Sequence, residues 1–163
     1  MKNKHSIDFL FTLVLFSMFV IMCVLLINIG AGVYDTISNR TSSNSEVRTT
    51  LSYIGNKVRA ASAMEEPVRI DIVDGTKVLV ISSENKGNKY NTLIFYKEGY
   101  IREATVMDGD EYTLDFGTNL VLANEFDFQV VNEELYYVDI TVNTPFGDKS
   151  SLKVNINDLK WWR

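Results

Sequence analysis

The sequence holds one cysteine, one histidine and two prolines in 163 residues. A single cysteine excludes a disulfide within the chain, and one histidine with one cysteine is too few for a Cys/His zinc site. Basic residues are also in short supply: 16 Lys and Arg stand against 21 Asp and Glu, a formal net charge of −5. Nucleic acid is thereby excluded as an expected partner, because phosphate binding calls for a basic face. The only histidine, His5, lies in the first few residues, so a histidine-based catalytic triad elsewhere is ruled out. No glycine-rich phosphate loop, nucleophile elbow or His-Glu-x-x-His is present. Catalysis and cofactors are not expected. With 46% apolar and 23% charged residues, disorder is not expected either.

What the chain does have is one long apolar run. Residues 9–29, from Phe9 to Ile29, carry no charge and are interrupted only by Thr12, Ser17 and Asn28. At about 1.5 Å per residue such a helix is about 31 Å long, enough to cross a hydrocarbon core. It lacks the polar stripe of a soluble core helix. Cys23, inside the run, reads as a small apolar residue. Lys2 and Lys4 precede the span, and the first charge after it is Asp35. The positive-inside rule then places residues 1–8 in the cytoplasm as a short leader and the large C-terminal part outside a cell membrane. Gly30-Ala31-Gly32 would suit a signal peptidase, but the apolar region is longer than that of ordinary signal peptides. A retained anchor is the expectation.

Residues 30–64 form a juxtamembrane and amphipathic helical segment. Its polar start, residues 38–45, is weakly helix-forming, and Ser43 with Glu46 has the spacing of a capping box that would restart a helix. Val47, Leu51, Ile54, Val58 and Ala61 then recur at steps of four and three and draw one apolar stripe. The stripe is expected to pack on the chain's own sheet, with a coiled coil as the competing use. Gly55 is a mild interruption, and Pro67 ends the segment.

Residues 68–163 change to a period of two. Strands are expected over 68–73, 77–83, 90–96, 100–106, 119–122, 126–131, 135–142 and 152–156. They are separated by turns such as Asp74-Gly75 and Lys97-Glu98-Gly99, with an irregular stretch over 107–117. Brief turns and no intervening helix mean an antiparallel meander. The expected fold class is α+β: a transmembrane helix continuing into an amphipathic helix laid on an antiparallel sheet.

Three features invite a functional reading. Asp8 stands in the first turn of the apolar helix, where the positive helix end tolerates a carboxylate; it is a candidate contact for another subunit's amine. Trp161 and Trp162 near the end of the chain either cap the core or anchor a partner. The aromatics Tyr90, Phe95, Tyr96, Tyr100, Phe126, Phe128, Tyr136 and Tyr137 fall on strands, where sheet packing competes with a ligand-binding face. The acidic run Asp108-Gly109-Asp110-Glu111 with Asp115 lacks the EF-hand ligand pattern and reads first as a solvated loop, with a calcium site built from its carboxylates as the competing reading.

A basic leader, an apolar helix running into an amphipathic one, and then an antiparallel sheet resembles type IV pilins and pseudopilins. Leu10-Phe11-Thr12-Leu13-Val14-Leu15 resembles their processing motif Gly-Phe-Thr-Leu-Ile-Glu, with Leu10 and Leu15 replacing its glycine and glutamate. The opening sixteen residues, with Thr50-Leu51-Ser52-Tyr53-Ile54 and Lys57-Val58-Arg59, resemble an uncharacterised family of Gram-positive bacterial membrane proteins, domain of unknown function 4860. Together the resemblances imply a pilin-like subunit that keeps its leader. Its partners would be the membrane and other pilin-like or envelope proteins reached through the transmembrane helix. The alternative is a membrane-tethered binding module for a cell-wall glycan or protein.

Overall fold

The computed structural model describes residues 2–62, 66–132 and 136–156, without the side chains of residues 2–6 and Asn132. Trp161 and Trp162 therefore lie outside the described residues. The chain divides into two units, residues 1–41 and residues 42–163.

The first unit is the N-terminal part of one α-helix, α1, which runs without a break over Lys2–Ala61. The expected restart at Ser43 does not occur. Residues 38–45 are weak helix formers but contain neither proline nor glycine, so nothing stops the i to i−4 ladder from propagating through them. The polar side chains of the apolar run are satisfied within the helix itself. Thr12 Oγ1 donates to the Asp8 carbonyl at 2.9 Å, Ser17 Oγ to Leu13 at 2.8 Å, and Asn28 Nδ2 to Val24 at 2.8 Å. Such back-bonding pairs the Thr12 and Ser17 hydroxyls and one N–H of Asn28 within the helix, which lowers the cost of placing them in lipid.

The second unit begins with the last turns of α1 and continues as eight strands: β1 Val68–Val73, β2 Thr76–Asn85, β3 Asn88–Lys97, β4 Tyr100–Met107, β5 Thr118–Leu122, β6 Glu125–Asn132, β7 Tyr136–Asn143 and β8 Lys149–Asn155. Three of the turns have the same chemistry. Asp74-Gly75, Lys86-Gly87 and Glu98-Gly99 each place two successive residues at positive φ, from 50° to 82°. Two-residue turns of this hand match the twist of the flanking strands, and the glycine removes the strain at the second position. The registers Val73↔Thr76, Asn85↔Asn88 and Lys97↔Tyr100 follow directly. Because Lys86-Gly87 alone makes the second turn, β2 and β3 run further than the polar residues 84–89 suggest.

The strands form two antiparallel sheets where the sequence pattern suggested one. Sheet one has the order β1-β2-β3-β4-β5, and sheet two has the order β6-β7-β8. The division falls between two neighbouring residues. Ala123 N–H donates to the Gly99 carbonyl of sheet one at 2.9 Å, while Asn124 N–H donates to Asn143 of sheet two at 2.8 Å. Tyrosines brace the junction. Tyr96 of β3 donates to the carbonyls of Ala123 and Asn124, and Tyr136 of β7 donates to the Val68 carbonyl of β1 at 2.8 Å.

The main core lies between α1 and the inner faces of both sheets. Val47, Leu51, Ile54, Val58 and Ala61 are all at most 5% exposed, packed with Leu79, Ile81, Ile94, Phe128, Ile140 and Val154 among others. The apolar stripe is thus spent on the chain's own sheets, not on a coiled coil. Gly55 lets β8 approach closely: a Cβ there would stand 2.7 Å from the Leu152 side chain. A second core covers the outer face of sheet one, where Leu114 and Tyr112 of the β4–β5 connection pack over Val78, Val80, Leu93 and Phe95. Strands β2 and β3 are therefore buried on both faces, which is why Val78-Leu79-Val80-Ile81 reads as an unbroken apolar run.

Ile54 is fully buried at the meeting of helix and sheets. Ile54→Ala is expected to cost about 2–5 kcal/mol, seen as a lower urea midpoint of the sheet transition in the detergent-solubilised chain, with the helical signal of the apolar segment retained.

Candidate functional site

In the first unit, the helix of which residues 9–29 are part is long and apolar enough to cross a membrane, and none of its most apolar stretch is buried. Phe9 is 69% and Ile29 65% exposed. Thr12 is exposed and back-bonded, and Cys23 is a half-buried free thiol. Asp8 is exposed too, but it is not in the first turn. The helix already begins at Lys2, and no acidic residue occupies its first turn. The terminal dipole acts within about one turn, so Asp8 gains little from it. Its tolerance rests instead on staying hydrated or on being paired.

The second unit has a groove of about 550 Å³ beside α1, lined by Tyr53, Glu103, Ala104, Thr105, Phe116, Gly117, Thr118 and Leu120. The local chain explains it. β5 pairs with β4 only as far as Glu103↔Thr118, so the strands part beyond that point. Gly117 makes the return, with φ at 136°. A Cβ there would come within 3.1 Å of the Glu103 carbonyl and 3.3 Å of the Phe95 ring, so only glycine fits. Tyr53 from the helix and Phe116 from the connection are about two-fifths exposed at its rim.

Next to the groove, Lys57 Nζ donates to Glu103 Oε1 at 2.6 Å and stands 5.1 Å from the Tyr53 ring centroid. Burial pushes the Lys57 ammonium down, but its hydrogen bonds to Glu103 and Tyr53 outweigh burial and hold it above 10.5. A second groove of about 480 Å³, between Lys57, Ala60 and Ala61 of the helix and Ile81, Ser83, Glu84 and Thr92 of the sheet, lies on the other side of Lys57.

The strand aromatics are spread over both sheets and packed to different degrees. Phe95, Phe126 and Phe128 are buried, and Tyr90, Tyr96, Tyr100, Tyr136 and Tyr137 are half-buried. The rings at the groove rim, Tyr53 and Phe116, were not legible as a pair, since one belongs to a helix flank and the other to an irregular loop. The acidic loop has a structural task. Asp108 accepts from buried Asn91 at 2.8 Å, and Asp115 pairs with Lys97 at 3.0 Å, which ties the connection over the outer face. Among the described residues no three His, Cys, Asp or Glu side chains are gathered for a metal.

Residues 45–143 match the family described as Domain of unknown function (DUF4860). The chain belongs to that family. The matched region of this DUF4860 member begins with the buried helical stripe and ends with β7, so it takes in the Tyr53–Phe116 groove, the core on the outer face of sheet one and most of the main core, but not the β8 residues Leu152 and Val154. No curated protein and no solved structure matches the chain.

Three raised groups predict an alkaline weakness. Tyr112 is held above 10.0 by burial and by its hydrogen bond to Asp71, Tyr136 is held above 10.0 by burial, and Lys57 stands above 10.5. A raised folded value contributes stability that is complete below the unfolded value and lost as pH climbs through the folded one. The melting temperature of the sheet unit should therefore fall as pH rises beyond about 10. A Tyr112→Phe, Lys57→Met double variant should melt lower at pH 8 and show a smaller alkaline fall, checked by thermal melts across that range.

Proposed function

We propose that this DUF4860 member is a non-catalytic, single-pass membrane protein. Its N terminus is cytoplasmic and its sheet unit extracellular, and it serves as a pilin- or pseudopilin-like structural subunit of a bacterial envelope, secretion or pilus-type assembly. The observation that carries this reading is α1, an uninterrupted helix whose apolar N-terminal part is exposed while its C-terminal stripe is the centre of a folded core. A helix of that kind offers other subunits an apolar surface without giving up the fold. The polar groups along it are already back-bonded, so lateral association would rest on van der Waals packing, with Asp8 as the ionisable contact at its start. Lys2 and Lys4 support the cytoplasmic assignment of the N terminus.

A second reading, a membrane-tethered module for a cell-wall glycan or protein, draws on the Tyr53–Phe116 groove instead of the strand aromatics. Stacking on exposed rings is a common way to hold a sugar or a side chain.

The retained anchor is tested by the intact mass of the chain extracted from its native membrane, expected near the full 18.6 kDa. Loss of the residues before Ile7 or Phe11 would show pilin-type maturation, and loss through Ala31 or Gly32 would show a released domain. Asp8→Ala is expected to lower recovery of co-isolated membrane partners while leaving the melting temperature of the sheet unit unchanged. Undiminished recovery would remove Asp8 from the assembly contact.

A further inference from the structure

β8 is the last strand of sheet two, and among the described residues no strand pairs with its outer edge. The phase of the ladder says which groups that edge presents. Thr144 N–H donates to Asp148, and Ile156 N–H donates to Tyr136, both at 2.8 Å, in line with the pairs Val138↔Val154 and Ile140↔Leu152. Backbone groups in an antiparallel pair alternate in direction, so the even-numbered residues of β8 face β7. Those of Lys149, Ser151, Lys153 and Asn155 face outward, and all four residues are exposed.

Two more observations describe what would fit. Alongside the edge runs a groove of about 340 Å³, walled by Arg48, Leu51 and Ser52 of α1 and by Ser150 and Leu152 of β8. Arg48, Lys149 and Lys153 lie along this border, with Lys153 Nζ 3.5 Å from the Tyr137 ring centroid and Asp139 of β7 opposite it in the register. Lysines on an edge repel basic strands, are left partly desolvated and uncompensated by neutral ones, and attract acidic ones.

We propose that the outer edge of β8 receives an extended segment of a partner protein as an added strand, with carboxylates alternating with small apolar residues. The alternation follows from the pleat. Side chains beside Lys149 and Lys153 share one face and meet two ammonium groups, while those between them enter the groove next to Leu51 and Leu152. A second copy of β8 is a poor occupant. Antiparallel registers centred on Ser151 or Lys153 set lysine opposite lysine, and the one centred on Leu152 still gathers the cations of both copies at one seam.

The test uses the detergent-solubilised full chain and fluorescent hexapeptides. One probe has the sequence Glu-Val-Glu-Val-Glu-Val, a second has lysine for glutamate, and a third has the same composition in two blocks. The alternating acidic probe is expected to bind, and each of the others to bind at least about tenfold more weakly. Ser151→Pro removes an outward N–H that the fold does not use, so binding should be lost while the melting temperature holds. The double variant Lys149→Glu, Lys153→Glu should reverse the preference toward the lysine probe, a gain that misfolding cannot imitate. Equal binding of the three probes, no binding of any, or an unchanged preference in the double variant would overturn the proposal. So would a dimer of the full chain that Ser151→Pro dissolves in the absence of peptide binding.

Discussion

The second unit depends on one packing event, the burial of a single helical stripe against two sheets at once. Val47, Leu51, Ile54, Val58 and Ala61 meet residues from five-stranded and three-stranded sheets in one continuous core. Each of the four larger side chains contributes about 1.5–3 kcal/mol when taken out of water, and Ala61 less. Among the described residues, the two sheets are joined by two tyrosine braces, by Lys77 of β2 reaching Asp127 and Phe128 of β6, and by a chain crossing at Ala123-Asn124. Without the helix, neither sheet would have a covered inner face.

That burial also explains why α1 can serve two environments. Its first part is apolar all round and its last turns are apolar on one side only, yet the backbone ladder continues through the polar residues between them. The helix is therefore both the segment suited to a membrane and the keystone of the folded unit. Substitutions along the stripe would disturb the fold, and substitutions along residues 9–29 would not.

The outer face of sheet one shows how polar chemistry substitutes for a second helix. A loop without regular structure covers Val78, Val80, Leu93 and Phe95 through Tyr112 and Leu114, and charged groups at its ends hold it down. The same loop, on its return through Gly117, opens the groove between Tyr53 and Phe116. Cover and groove share one constraint, the glycine pressed against the Glu103 carbonyl and the Phe95 ring.

Local periodicity was enough to place the elements. The step of four and three from Val47 to Ala61 identified the buried stripe, the charge-free run of residues 9–29 identified the apolar helix, and Asp74-Gly75 identified its hairpin. These features depend on residues a few positions apart, so their physics is written in neighbouring side chains. Tertiary packing alone decided that the strands split into two sheets at Ala123-Asn124, that an acidic loop became a lid, and that Lys57 met Glu103 across 46 positions. It also decided that Asp8 falls past the first turn and that, among the described residues, no strand pairs with the outer edge of β8. Those outcomes turn on which distant surfaces meet, and the period of a strand is the same whether its neighbour is a sheet, a loop or nothing.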